Sequence, residues 1–245
     1  MRLKGALHVH STLPHDGTMT IAELAEWCIT RGHQFIAIGE HSRETSGGKV
    51  EILKGQSTDH TRDGLGIIPG IEYSCGGGIH IPGRGALGLT RERDPVVVVE
   101  ETCAYGGLAI LAHPYRYNWT CAPELLRAVN AVEIRNVGYD GKYLPSARAP
   151  GALRRINLEL LAIAGQDLLR KPACNDVAAQ REAECPALEE IRSNLRRGDY
   201  IIKSRFFQTK GRPRLSSLKA ALLRVASRQP EHLRKACDFC RGWWA

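Results

Sequence analysis

The chain of 245 residues has no apolar run near the ~18 residues that a membrane-spanning helix needs, so no such helix and no membrane partner is expected. No apolar h-region follows the basic residues of MRLKGALHVH, so no secretory signal is expected either. Internal repeats and low-complexity segments are absent. With 43% hydrophobic and 24% charged residues, the composition excludes disorder, collagen and coiled coil. The eight cysteines (28, 75, 103, 121, 174, 185, 237 and 240) lack the spacing of a disulfide framework. Cys237-Asp-Phe-Cys240 has no second pair with which to form a zinc ribbon. Free thiols in a reducing, cytoplasmic setting are the expectation.

Acidic residues are scarce at one end. Residues 203–245 hold 11 Lys+Arg against 2 Asp+Glu, whereas the first 202 residues are close to neutral. A basic tail attracts nucleic acid, phosphorylated ligands or acidic partners, or serves as a solvated helical face. Residues 214–228 and 231–237 read as two amphipathic helices. The chain divides into residues 1–203 and a basic, helical extension, residues 204–245.

What the body does have is a recurring pattern: short apolar runs that end in a polar residue. The runs are 7–10 (LHVH), 35–41 (FIAIGEH), 66–72 (GIIPGIE), 108–113 (LAILAH), 131–136 (AVEIRN) and 161–167 (LAIAGQD). Their length and flanking Gly or Pro predict strands buried on both faces. Helices are predicted between them over residues 20–31, 95–105, 123–129 and 152–160. The first opens with a Thr20–Glu23 capping box and closes at Gly32. Residues 42–64 are polar and loop-like, a candidate mobile flap beside the rim. Alternating strand and helix predicts a parallel α/β fold, and five strand ends carrying His, Glu or Asp point to one rim.

His8 and His10, one residue apart on a strand, emerge on one face. Two imidazoles side by side suit a transition metal. Asp16, His41, Glu72, His80, His113 and Asp167 bring the candidate ligands to eight. Imidazole and carboxylate without thiolate suit zinc, manganese or iron, and so many ligands imply a multinuclear site with Glu72 as a bridge. Each residue also has a plainer reading: Asp167 as a helix cap, His41 as a strand-end histidine, His80 as a loop histidine. His15 is an alternative to Asp16. His33, His60 and His232 have no companion signal. Arg116, in HPYR, is a candidate contact for a substrate phosphate or a surface arginine.

In order, LHVHSTLPHDG, IAIGEHS, IIPGIEYSCGGGIHIPG, GLAILAHPYR, VEIRN and AIAGQD resemble the motifs of the PHP (polymerase and histidinol phosphatase) domain family of metal-dependent phosphoesterases. The resemblance spans roughly the first 200 residues. It implies a distorted (β/α)7 TIM-like barrel holding two or three divalent metal ions. By motif, His8, His10, Glu72 and Asp167 resemble the ligands of a first ion. Glu72, His80 and His113 resemble those of a second, and Asp16 and His41 two ligands of a third. The sequence departs from the family at Asp167-Leu168-Leu169, where the family's last motif reads Asp-x-His. Glu40 stands where Asp is usual.

The expected activity is hydrolysis of a small phosphomonoester or nucleotide, with Glu72, Asp167 and His41 as catalytic residues and Arg116 on the phosphate. Without a complete third site, His41 is itself a candidate general acid. Three rival readings stand beside it. One is a nuclease gripping nucleic acid through the basic tail, and another an amidohydrolase-like metal hydrolase acting on C–N bonds. The third is a PHP domain that binds metal without catalysis.

Overall fold

The computed structural model describes residues 2–13, 17–61, 64–118, 120–139, 159–169, 178–182, 187–204 and 208–212. Twelve strands and five α-helices occupy these segments. In chain order they are β1 (Arg2–Val9), α1 (Ile21–Thr30), β2 (Phe35–Ile38), β3 (Glu40–His41), α2 (Gly47–Asp59), β4 (Gly66–Ile68), β5 (Gly70–Ser74) and β6 (His80–Arg84). There follow α3 (Pro95–Ala104), β7 (Leu108–Leu111), α4 (Pro123–Ala128), β8 (Ala131–Asn136), β9 (Leu161–Gly165), β10 (Ala178–Glu182), α5 (Leu188–Arg197), β11 (Ile201–Lys203) and β12 (Gln208–Lys210).

The strands form two mixed six-stranded sheets, in the orders β12-β11-β10-β1-β2-β4 and β3-β5-β6-β7-β8-β9. Two of the apolar runs switch sheets midway. Run 35–41 breaks at Gly39 into β2 and β3; run 66–72 breaks at Pro69 into β4 and β5. Pro69 has no N–H for a ladder, so pairing is interrupted there. Gly39 instead donates its N–H to Val9 O at 2.9 Å. The sheets also meet along β1 and the end of β9: Gln166 N–H donates to Leu7 O at 2.8 Å, and His10 N–H to Leu168 O at 3.0 Å.

β2, β4, β7, β8 and β9 are buried along their whole length, as runs buried on both faces require. The architecture departs from an all-parallel arrangement at β6, which is antiparallel to both β5 and β7, and at β10–β12. His80 therefore opens a strand and is not a loop residue.

The helix expected over 20–31 is α1, with both hydrogen bonds of the Thr20–Glu23 capping box present, and Gly32 turns the chain at φ +67°. Helices 95–105 and 123–129 correspond to α3 and α4. Residues 42–64 are corrected from loop to mostly helix: α2 is capped by Ser46, whose Oγ accepts Lys49 N–H, and it buries Val50, Leu53 and Ser57. Three buried positions in thirteen residues leave too thin an apolar stripe to read as a helix. Most of the helix expected over 152–160 lies outside the described residues, as do the two tail helices. The described part of the extension beyond Ser204 includes strand β12, paired with β11. Among the described residues, no helix is long and apolar enough to cross a membrane. Cys28, Cys75, Cys103 and Cys121 are free thiols.

Candidate metal centre

The strand ends place five imidazoles around one carboxylate. Glu72, in the middle of β5, is fully buried. Its Oε2 lies 3.2 Å from His8 Nε2, 3.4 Å from His10 Nε2 and 3.2 Å from His41 Nε2. Its Oε1 lies 2.9 Å from His80 Nδ1 and 3.3 Å from His113 Nε2. Two ligand sets share it, His8 with His10 and His41 with His80, with all ligand atoms of a set within 4.8 Å of one another. Asp167 adds Oδ1 at 3.4 Å from His10 Nε2 and 3.7 Å from His8 Nε2.

Irregular backbone puts these groups in place. His8 sits at φ 62°, with a register slip against β2 between Leu7 and Val9. His113, at φ 28°, and Asp167, at φ 48°, are also left-handed. Such conformations cost about 1–3 kcal/mol each in a non-glycine residue and persist where surrounding structure enforces them. Three of the four such non-glycine residues among the described residues are candidate ligands, which marks this rim as strained.

Sequence reasoning missed Glu133, which is buried in β8. Its Oε1 lies 2.6 Å from His8 Nδ1, while its Oε2 accepts the His113 N–H and the Asn136 side-chain amide, each at 2.8 Å. It fixes the ring of one candidate ligand and the backbone of another. The available signal was a carboxylate in the apolar run AVEIRN, since a buried acid demands partners. Gly165 makes room for it: a Cβ there would lie 2.1 Å from Glu133 Oε1. Glu40 accepts the Ser11 backbone N–H at 3.1 Å and its hydroxyl, tying β3 to the segment after His10.

The other expected residues divide. Arg116, on the exposed turn after His113, holds Nη1 3.2 Å from His80 Nε2, at the mouth of the cluster. His41 is not set apart from the first two ligand groups: it reaches Glu72 and stacks on His10 at 4.5 Å between ring centroids. Asp16 and His15 lie outside the described residues. Leu169, where the resemblance expects histidine, offers its carbonyl to Thr18 N–H at 2.9 Å. His33 is buried beneath Trp27, with ring centroids 5.8 Å apart, and His60 caps α2, so both have structural places.

Burial would lower the pKa of His8, but Glu133, Glu72 and Asp167 together hold it well above the usual histidine value. Burial lowers that of His10, against the opposing pull of Asp167 and Glu72, and the neighbouring His8 and His41 add to the lowering. Glu72 is held well below the carboxylate range despite burial, by His8, His113 and His80. His10 tests the fit to a metal. Both its ring nitrogens are buried without a hydrogen-bond partner among the described residues, although Nε2 stands 3.4 Å from two carboxylate oxygens. A buried imidazole nitrogen held this close to two carboxylates fits a ligand to a shared cation. The thiolate-free imidazole–carboxylate set suits a divalent transition metal.

No family model matches the chain. Over 61 residues it is 43% identical to the DNA polymerase/3'-5' exonuclease PolX of Bacillus subtilis, a match covering 24% of this chain and 10% of that protein. The chain thus spans about a tenth of the length of this curated relative. A two-domain protein from Bacteroides vulgatus, containing a predicted PHP-like metal-dependent phosphoesterase, superposes with a TM-score of 0.62 at 15% identity. That superposition covers 85% of this chain and 66% of the other. PsfC from Pseudomonas syringae gives a TM-score of 0.58 at 17% identity, over 78% of this chain and 88% of that one. A protein from Bifidobacterium adolescentis, assigned as a metal-dependent phosphoesterase, gives 0.50 at 14% identity, over 66% and 86%.

Proposed function

We infer that this chain, which has the fold of the PHP-like metal-dependent phosphoesterases, is a metal-dependent phosphoric ester hydrolase acting on a small phosphomonoester or nucleotide. The observation that carries the reading is Glu72, whose two carboxylate oxygens divide five imidazoles between them. That is the donor pattern of a bridged pair of divalent ions.

His8, His10, Asp167 and Glu72 would hold one ion; Glu72, His80 and His113 would hold the other. Manganese, zinc and iron all suit these donors. Asp16 and His41 remain the candidates for a third ion, with Leu169 contributing no ligand. Bound divalent ions supply Lewis-acid polarisation of a phosphoryl oxygen and acidify a water. The chain's own residues do the rest. Glu133 fixes the His8 ring so that Nε2 faces the centre. Arg116 orients the phosphate by pairing with its oxygens at the mouth. With no third ion bound, His41, partly exposed beside Glu72, would deliver the proton to the leaving oxygen. In this reading the two sheets make one distorted barrel over residues 1–203, the basic extension follows, and the setting is cytoplasmic.

A nuclease is the second reading, favoured by the identity to an exonuclease-bearing polymerase and by the net basic segment 203–245. An amidohydrolase or a non-catalytic metal domain gains no such support. The test is hydrolysis of an aryl phosphate monoester, an aryl diester and a short oligonucleotide, with added manganese or zinc and after chelation. Chelator-sensitive monoesterase activity supports the first reading, and oligonucleotide cleavage that weakens with salt supports the second. Metal binding without turnover on any substrate contradicts both.

A further inference from the structure

Strand β6 carries His80 at one end and Arg84 at the other. Arg84 is only 4% exposed, and among the described residues none of its three guanidinium nitrogens has a hydrogen-bond partner. A buried cation without bonds is costly, and a core that needed only volume there would hold an apolar side chain. The position is built around it. A Cβ on Gly39 would lie 2.2 Å from Arg84 Nη1, so the guanidinium packs against that glycine's backbone, next to Glu40. Arg84 also pairs in register with Gly70, two residues before Glu72.

Charge gives the placement its sense. Burial lowers the Arg84 pKa, and four carboxylates oppose it: Glu133, Glu72, Asp167 and Glu40. All four belong to the centre or to its supports, and Arg116, the cation at the mouth, is exposed where Arg84 is enclosed. The guanidinium is thus a fixed positive charge enclosed with the carboxylates and bonded to none of them.

We propose that Arg84 is a standing countercharge of the metal centre, a residue that offsets part of its negative charge and thereby limits how tightly divalent ions bind. This rests on the reading that the centre binds such ions. A cation fixed within the same enclosure repels each incoming divalent ion at an effective dielectric well below that of water. Neutralising Arg84 should therefore tighten metal binding, the opposite of what loss of a merely structural residue would do.

The experiment is calorimetric titration of the metal-free full chain with manganese alone, for the parent, Arg84→Met and Arg84→Lys. Arg84→Met should lower the dissociation constant roughly tenfold or more, while Arg84→Lys, which keeps the charge, should stay near the parent. An unchanged or weakened affinity in Arg84→Met overturns the proposal. Should Arg84→Met not fold, Arg84→Gln, polar and of similar length, replaces it with the same expectation. If neither neutral variant folds while Arg84→Lys does, the charge serves folding and the proposal falls. A parent chain that binds no manganese sinks the metal-centre reading itself, an outcome distinct from equal binding by all variants.

Discussion

His8 Nδ1 lies 2.6 Å from Glu133 Oε1, while the opposite nitrogen of the same ring lies 3.2 Å from Glu72 Oε2. One imidazole thus spans two buried carboxylates, one that orients it and one toward which it is aimed. With a cation bound at the centre, the Nδ1 contact would hold the ring with its Nε2 lone pair toward that cation.

Replacing the orienting carboxylate tests that division of labour. Glu133→Gln should weaken divalent-ion binding about 10- to 100-fold, the usual effect of losing the partner that fixes a ligating histidine. Gly165→Ala should act in the same direction, because its Cβ would occupy space 2.1 Å from Glu133 Oε1. Equilibrium metal titration of both variants checks the prediction.

His41 supplies a second test. If it delivers the proton to the leaving group, its loss matters most where that group is a poor one. His41→Gln should slow hydrolysis of an alkyl phosphate by about 10²- to 10⁴-fold and that of a nitrophenyl ester far less. Equal losses on the two substrates would assign His41 to metal binding. Steady-state rates on the pair decide it.

A third prediction lies away from the rim. His33 is buried against Trp27, with neither ring nitrogen hydrogen-bonded among the described residues; burial, with the Lys4 and Arg31 charges, lowers its pKa to about 4. Its pKa is higher when unfolded, so the unfolded chain binds the proton first. The stabilisation is complete above the ordinary value of 6.5 and is lost as pH falls from there toward about 4. At most about 3 kcal/mol is involved. Melting temperature measured from pH 7 to 4 should fall more steeply in the parent than in His33→Phe.

The capping box of α1 gives a fourth. Thr20 Oγ1 accepts the Glu23 N–H at 3.2 Å, and Glu23 Oε2 accepts the Thr20 N–H at 2.8 Å. Thr20→Ala should cost about 1 kcal/mol, read as a lower denaturant midpoint with an unchanged slope.

The legible parts of the fold were those written locally. Thr20 and Glu23 announce α1 because a cap is a contact between near neighbours. The fully buried strands announce themselves by uninterrupted apolar residues. The clustering of side chains at the rim was legible because His10, Glu72, His113 and Asp167 sit where apolar runs end. What depends on distant contacts was hidden. Nothing near Gly39 or Pro69 says that the chain changes sheets there. Strand β6 lacks an apolar run, since GGGIHIPG mixes glycine and proline with its two isoleucines, so its antiparallel course was missed. Helix α2 buries so few apolar residues that its period disappears into a polar sequence. Glu133 was visible only as an acid in an apolar strand; its partners His8 and His113 are 125 and 20 residues away.

Glu72 is proposed to join two divalent ions. The measurement that tests it most directly is metal stoichiometry by mass spectrometry after reconstitution with manganese or zinc and removal of free ion, for the parent and for Glu72→Gln. At least two ions per chain are expected in the parent and one or fewer in the variant, with hydrolysis reduced roughly 10²-fold or more. A parent chain that retains no metal, or a Glu72→Gln protein that keeps the full complement, would contradict it.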